Sequence, residues 1–341
     1  MTTMDLHEKM LPATEPATIK AIRVHRHGGP AALTYEEITI GQPAQDEVRV
    51  RNKAVGLNFV DIYFRNGAYI PPALPFIPGN EGAGIVVAVG ENVKDFAPGD
   101  RVAYIMTLGA YAEESLVPAK YLVRLPDAID FETGAAMLLK GLTAQYLLRR
   151  TFRVQAGHTI LIHAAAGGVG LILTQWAKHL GAIVIGTVGS PEKAEPALQN
   201  GCDFVIDYNK EDFAQRVKAI TNGEGCHVVY DGIGKATFPA SLDCLRPFGY
   251  FVSYGAASGA IEPFDIMLLM KKGSVFATWQ LLFDHLAKRE DVLAMSRELF
   301  EIVASGAVKI PVHTRLPLAE AAEAHRRLEA RETTGATVLL L

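Results

Sequence analysis

The chain has 341 residues, enough for two domains or for one domain with a large elaboration. Its 49% hydrophobic and 21% charged content is that of a folded globular protein and excludes disordered, collagen-like and coiled-coil classes. Thirty-three basic against 37 acidic side chains leave a net charge of −4, too balanced for a footprint on nucleic acid or anionic lipid.

Residues 1–18 mix charge, Pro and Thr without the apolar core of a secretory signal, and are expected to be a flexible tail. No run of 18 apolar residues follows. Cys202, Cys226 and Cys244, spaced by 24 and 18 residues, build neither a disulfide framework nor a zinc ribbon. The expected location is the cytoplasm.

Up to about residue 140 the chain reads as short strands, at 21–24, 47–54, 84–89 and 101–104, cut by Gly28-Gly29-Pro30, Pro71-Pro72 and Pro98-Gly99-Asp100. After Leu142 apolar runs alternate with amphipathic stretches. Strands are expected at 159–163, 182–187, 203–206, 227–231, 250–254 and 274–278, and helices at 169–180, 191–200, 211–221 and 236–245. Six buried strands separated by helices predict a Rossmann-type doubly wound parallel sheet. A helix at 292–305 and the 337–341 tail then return to the first domain. The expected division is 1–141 with 285–341, a β-rich partial barrel, and 142–284, a dinucleotide-binding domain.

The 159–163 strand runs through Ala164-Ala165-Ala166-Gly167-Gly168-Val169-Gly170 into a helix. On the dinucleotide fingerprint Ala165 takes the first glycine position, Gly167 the second, where backbone approaches a pyrophosphate, and Gly170 the third, where helix and strand pack closely. Gly168 and Val169 then open the helix, whose N-terminal N–H groups face the anion. His163 at the strand end is expected to be a packed core residue.

At the end of the second strand, Gly189 and Ser190 stand where an acid would hold the ribose 2′-hydroxyl of NAD. Lys193 follows in the first turn of a helix, where the dipole favours an anion, and a bound 2′-phosphate reverses that penalty. The expected cofactor is therefore NADPH. Tyr208, ending the third strand beside the second, is placed to flank the phosphate or the adenine, while Asp207 next to it leaves NAD open. Gly232, Ile233 and Gly234 after the fourth strand fit the same crevice by position.

Gly79-Asn80-Glu81-Gly82-Ala83-Gly84, then Gly90 and Val93, followed by Gly99-Asp100-Arg101-Val102, resembles the medium-chain dehydrogenase/reductase superfamily. The segment from Gly157-His158 through Ala165-Ala166-Gly167-Gly168 and Gly170 to Gln175 and Lys178 is similar to the signature of its quinone oxidoreductase and zeta-crystallin branch. Asn58-Phe59-Val60-Asp61, Arg65-Asn66-Gly67, Lys140-Gly141-Leu142-Thr143 and Arg331 extend the likeness to nearly all of the chain beyond residue 18. The zinc enzymes' ligand positions depart: Asn58 replaces the first cysteine, Asn80 replaces a histidine, only Glu81 remains, and residues 94–120 hold no cysteine. A catalytic zinc needs three protein ligands.

The resemblance implies a GroES-like first domain and metal-free hydride transfer from NADPH to a quinone, by a homodimer with no nucleic-acid or membrane partner. It places Tyr63 and Asn58 in the catalytic role, Asp61 and Tyr69 in the substrate pocket, Phe59, Lys140 and Thr143 on the nicotinamide side, Gly255, Ala256, Ala257 and Ser258 against the cofactor, and Arg331 at its phosphate end. An enone or enoyl double-bond reductase, or a non-catalytic NADPH-binding protein, are the alternatives it leaves.

Overall fold

The computed structural model describes residues 16–105 and 108–341. Of the expected tail, residues 1–15 lie outside the described residues, and Ala17 opens the first strand.

The chain divides into two compact units. Among the described residues, the first comprises those from 16 to Ala135, Leu316–Arg326 and Val338–Leu341; the second comprises Ala136–Arg315 and Arg327–Thr337. In the first, β1 (Ala17–Val24) and β2 (Leu33–Ile40) make an antiparallel pair. Then come β3 (Glu47–Gly56), α1 (Phe59–Asn66), β4 (Glu81–Val89), β5 (Arg101–Ile105), β6 (Glu114–Pro118) and β7 (Leu122–Arg124). β3 pairs antiparallel with both β4 and β6, and β5 joins β4 to β7; Val48, Val50, Val86 and Val102 of these strands are fully buried.

The long helix α2 (Phe131–Tyr146) is absent from the sequence reading, which carried short strands to about residue 140. Ala135 to Leu138, Leu142, Ala144 and Tyr146 are all buried, so the helix has little polar face and its 3.6-residue period is faint.

The second unit follows the expected alternation: β8 (Thr159–Ile162), α3 (Gly168–His179), β9 (Ile183–Val188), α4 (Ala194–Gln199), β10 (Phe204–Asp207), α5 (Phe213–Ile220), β11 (Cys226–Asp231), β12 (Leu245–Ser253), α6 (Met267–Lys271) and β13 (Phe276–Trp279). The six strands are parallel in the order β10-β9-β8-β11-β12-β13, the 3-2-1-4-5-6 arrangement of a doubly wound sheet. Leu161, Ile185, Ile206, Val229 and Phe251 from five of these strands meet Val217 of α5 in one core cluster. Two expected helices shrink. Residues 191–193 form a 3-10 turn before α4, and 240–244 form a 3-10 turn after Pro239. Pro196 and Pro239 each lack the N–H that a longer α-helical ladder requires.

After α7 (Leu282–His285), α8 (Arg289–Ala304) falls in the second unit rather than in the returning segment that the sequence reading began at 285. Its Leu299 lies so close to Gly141 that a Cβ there would meet Leu299 Cδ1 at 2.6 Å. β14 (Val312–Pro317), α9 (Ala321–Glu329) and β15 (Ala336–Leu340) complete the chain, and β15 adds antiparallel to β3.

Candidate active site and dinucleotide crevice

The loop after β8 is shaped by backbone packing. A Cβ on Gly170 would fall on the Ala164 carbonyl oxygen and 2.7 Å from that of Ala165, so no other residue fits where α3 leaves the strand. Gly167 is the N-cap of α3 and brings no side-chain oxygen to the first-turn N–H groups of Gly168, Val169 and Gly170. Gly167, Gly168 and Val169 are partly exposed, so these donors can meet an anion. One assignment is corrected: Ala165 is fully buried and its N–H donates to Thr187 O at 3.0 Å, so it belongs to the core. The left-handed turn residue is Ala164, at φ 53°.

The C-terminal segment closes on this loop. Gly335 bridges Gly167, and its N–H donates to Ala166 O at 3.2 Å. Sequence reading passed over Gly335, whose φ of 60° and close approach to Pro311 O were its only local signals.

At the end of β9, Gly189 lies flush against Tyr208, whose hydroxyl occupies the place a Cβ would take. The parallel pairing of Asp207 with Val188 brings Tyr208 there. Asp207 Oδ1 accepts from the Asn209 N–H at 3.1 Å and so serves its own turn. Ser190 stands at the N-cap position of the 3-10 turn that carries Lys193, without a side-chain capping bond. Lys193 Nζ donates to the Arg331 carbonyl at 2.7 Å, and Arg331 is held in the left-handed region at φ 60°. Partial burial and then the Arg331 guanidinium hold the Lys193 ammonium below its ordinary range. An anion placed here would offset the repulsion between the two cations.

The remaining crevice loops are tied to each other. Asp231, fully buried at the end of β11, accepts from the N–H groups of Ile233 and Gly234 at 2.8 and 3.0 Å and from the Thr237 and Ser241 hydroxyls. The loop after β12 folds onto it: Ala257 and Ser258 N–H groups donate to Gly232 O and Ile233 O. The Ser258 hydroxyl is spent within this pair, donating to Ile233 O and accepting from Ala236 N–H. Gly255 and Ala256 stay half-buried. His163 is fully buried between Thr187 Oγ1 and Ser241 Oγ, as a core histidine. Lys140 is buried along Gly168, and Thr143 Oγ1 turns back to Leu139 O at 2.7 Å, which makes it a helix residue rather than an outward donor. The loop, the bare helix N-terminus and the Lys193–Arg331 pair fit a dinucleotide.

In the first unit Asn58 is the N-cap of α1. Its N–H donates to Asp61 Oδ2 at 2.8 Å and its Nδ2 to Glu81 Oε1 at 2.8 Å. Gly56 leaves the space that Glu81 Oε1 fills. Tyr63, one turn into α1, has its ring centroid 6.4 Å from Phe59 and 5.3 Å from Tyr69, whose ring meets Phe64 edge-on at 5.6 Å. Tyr69 is fixed there by its N–H on Tyr63 O. Asp61 is corrected: it is fully buried, and Oδ2 also accepts from the Tyr111 hydroxyl at 3.0 Å, so it braces the site from beneath rather than lining a pocket.

The donor set does not fit a catalytic zinc. Asn58 and Asn80 are amides, and Asn58 spends a side-chain N–H on Glu81, the one carboxylate among the zinc enzymes' ligand positions. Among the described residues no group of three His, Cys, Asp or Glu side chains is placed to hold a metal ion. The three cysteines are buried in the second unit, where burial pushes the Cys202 and Cys226 thiols up to about 12, against the thiolate a metal requires.

Residues 44–127 match the family model described as alcohol dehydrogenase GroES-like domain, and 168–294 the one described as zinc-binding dehydrogenase. The chain is 51% identical to a quinone oxidoreductase of Pseudomonas aeruginosa, over 94% of this chain and 99% of that one. It is 44% identical to a 2-haloacrylate reductase of a Burkholderia species, over 94% and 99%. The crystal structure of Escherichia coli quinone oxidoreductase complexed with NADPH superposes with a TM-score of 0.93 at 46% identity, covering 95% of this chain and all of that one. The GroES-like half, the doubly wound half and full-length identity of this order place the chain in the quinone oxidoreductase branch of the medium-chain dehydrogenase/reductase superfamily.

Proposed function

We propose that the chain is an NADPH-dependent quinone reductase in which the second unit holds the dinucleotide and Tyr63 and Asn58 of the first act on the acceptor carbonyl. The observation that carries the reading is the Lys193–Arg331 pair at the end of β9, where no acid stands to favour NAD. Lys193 and Arg331 hold the 2′-phosphate, Ser190 and Tyr208 border it, and the N–H groups of Gly168, Val169 and Gly170 hold the pyrophosphate. Lys140 borders the nicotinamide, and Gly232, Ile233 and the loop from Gly255 form its wall.

The bound dinucleotide supplies a hydride. A quinone oxygen gains negative charge as it is reduced, and the product ring is aromatic, so a hydrogen-bond donor suffices where alcohol oxidation calls on a metal. The Tyr63 hydroxyl and the Asn58 amide are the donors; Phe59 and Tyr69 pack against the tyrosine ring. Removing an oxyanion donor from a dry site costs about 2.7 to 4 kcal/mol, and an open quinone site gives less. Tyr63→Phe is therefore expected to lower quinone kcat/KM about 3- to 30-fold with NADPH affinity nearly unchanged, read from steady-state kinetics and a binding titration. An unchanged kcat/KM removes Tyr63 from the role.

The double-bond reading has its own support in the 2-haloacrylate reductase relative. A panel of quinones, enones and 2-haloacrylates assayed with NADPH separates the two. A Tyr63→Phe loss larger on an enone than on any quinone selects the double-bond reductase, because an enolate needs more stabilisation than a hydroquinone. Tight NADPH binding with no turnover of any acceptor selects the non-catalytic reading.

Metal independence is part of the same proposal. Protein treated with chelator is expected to hold well under one zinc per chain and to keep its activity; stoichiometric zinc whose removal abolishes turnover overturns it.

A homodimer in the cytoplasm is the proposed assembly and location. β13 ends the six-stranded order, with Phe276 50% and Trp279 43% exposed, and the preceding helix α6 exposes Met267 and Met270. An apolar sheet edge of this kind suits pairing with a second copy. Among the described residues no helix is long and apolar enough to cross a membrane.

A further inference from the structure

A buried polar chain in the first unit is not accounted for by the donors assigned above. His325, on α9, is fully buried, with Nδ1 3.0 Å from Arg65 Nη1 and Nε2 3.2 Å from the Tyr111 hydroxyl. Tyr111 is fully buried as well, and its hydroxyl donates to Asp61 Oδ2 at 3.0 Å. The same carboxylate oxygen accepts the Asn58 N–H at 2.8 Å.

These contacts allow one pattern of protons. The guanidinium can only donate, so His325 Nδ1 accepts and Nε2 carries the hydrogen. Nε2–H donates to the Tyr111 oxygen, and the Tyr111 proton goes on to Asp61. Burial, with the Arg65 cation beside it, holds the His325 imidazole down to about 3, so it stays neutral across the working range. Burial and then the Asp61 charge raise the Tyr111 phenol well above its ordinary value, so it keeps its proton. Neither residue is poised to release a proton to an acceptor. Each bond instead points toward Asp61, and a run of aligned donors in a water-free interior strengthens every link and removes rotational freedom.

We infer that His325 and Tyr111 are positioning residues for Asn58, fixing through the Asp61 carboxylate the helix N-terminus from which Asn58 presents its amide. The inference rests on the proposed role of Asn58 in the reaction. A site residue held this way keeps its geometry through turnover, and a displacement of about 1 Å can cost on the order of 100-fold in rate.

The test uses the full chain with NADPH and a quinone. His325→Phe removes donor and acceptor together and is expected to lower kcat about 10-fold with NADPH affinity changed less than about 2-fold. His325→Gln keeps one acceptor and one donor, and is expected to restore most of the loss. It also serves if the phenylalanine variant fails to fold. Tyr111→Phe should resemble His325→Phe. The decisive arm is the double variant Asn58→Ala with His325→Phe: its kcat should equal that of Asn58→Ala alone, because residues acting as one unit are non-additive.

Multiplying losses in the double variant, or full kcat in His325→Phe with only a lower Tm, overturn the inference while leaving the role of Asn58 intact. Full activity in Asn58→Ala overturns that role and the inference with it.

Discussion

Lys193→Ala is expected to weaken NADPH binding about 10- to 100-fold while NADH binding hardly changes, because a hydrogen bond to a charged group contributes about 1.5 to 3 kcal/mol. The structure sharpens the expectation. Lys193 holds the Arg331 carbonyl and sits close enough to the guanidinium for its own ammonium to be held down. A 2′-phosphate neutralises that repulsion, so the pair gains most from the ligand that carries the extra charge. Truncating the lysine also frees the 331–335 segment from one of its ties to the crevice. Titration of wild type and variant with both cofactors checks the claim. Equal losses for NADPH and NADH would mean that Lys193 supports the fold of the crevice and does not read the phosphate.

Gly170→Ala is expected to be the most damaging single methyl in the second unit. The added Cβ meets two backbone carbonyls, those of Ala164 and Ala165, and backbone at this point is tied to β9 by Ala165 N–H on Thr187 O. Neither carbonyl can rotate aside as a side chain would. Overpacking of this kind costs about 3 kcal/mol, which for a protein of this size lowers Tm by roughly 4 °C. The first turn of α3 must move with the loop, so NADPH affinity is expected to fall roughly 100-fold, the weight of one hydrogen bond to a charged group at the upper end of its range. Gly29→Ala is the control, because a Cβ there meets nothing within 4 Å. Thermal melts with and without NADPH separate the two effects: a lower apo Tm with the usual ligand-induced rise contradicts the second.

The features legible in the sequence are those with a local cause. Six parallel strands announce themselves as apolar runs because both faces of the sheet are covered, and β8 to β13 appear within a few residues of their expected places, β12 alone beginning earlier. Gly170 is readable because one strand-to-helix turn decides its contacts, and the missing acid after Val188 because residue type alone shows it. Asn58 and Asn80 argue against zinc by residue type alone, with no need of distances. Where local patterning is weak, the reading fails for the same reason in reverse. Helix α2 is buried nearly all round, so its apolar residues lack a polar stripe to set the period. Spacing alone does not say which of the three alanines turns left-handed; in the fold Ala164 takes that turn and Ala165 donates its N–H to β9.

Polar partnerships across long separations leave no trace in the chain. Arg65 and His325 stand 260 positions apart, Tyr111 and His325 are separated by 214, and Lys193 reaches a carbonyl 138 residues downstream. A hydrogen bond requires two groups at one distance and angle and imposes no period on the residues around either. Asp61 therefore reads in the sequence as a pocket carboxylate, and becomes a buried brace only when α9 brings His325, and the turn after Gly109 brings Tyr111, to the same few ångströms. Chemistry that depends on residue type and on neighbours along one turn is written in the sequence; which buried donors close on which acceptors is settled by packing, because only the folded chain sets those distances.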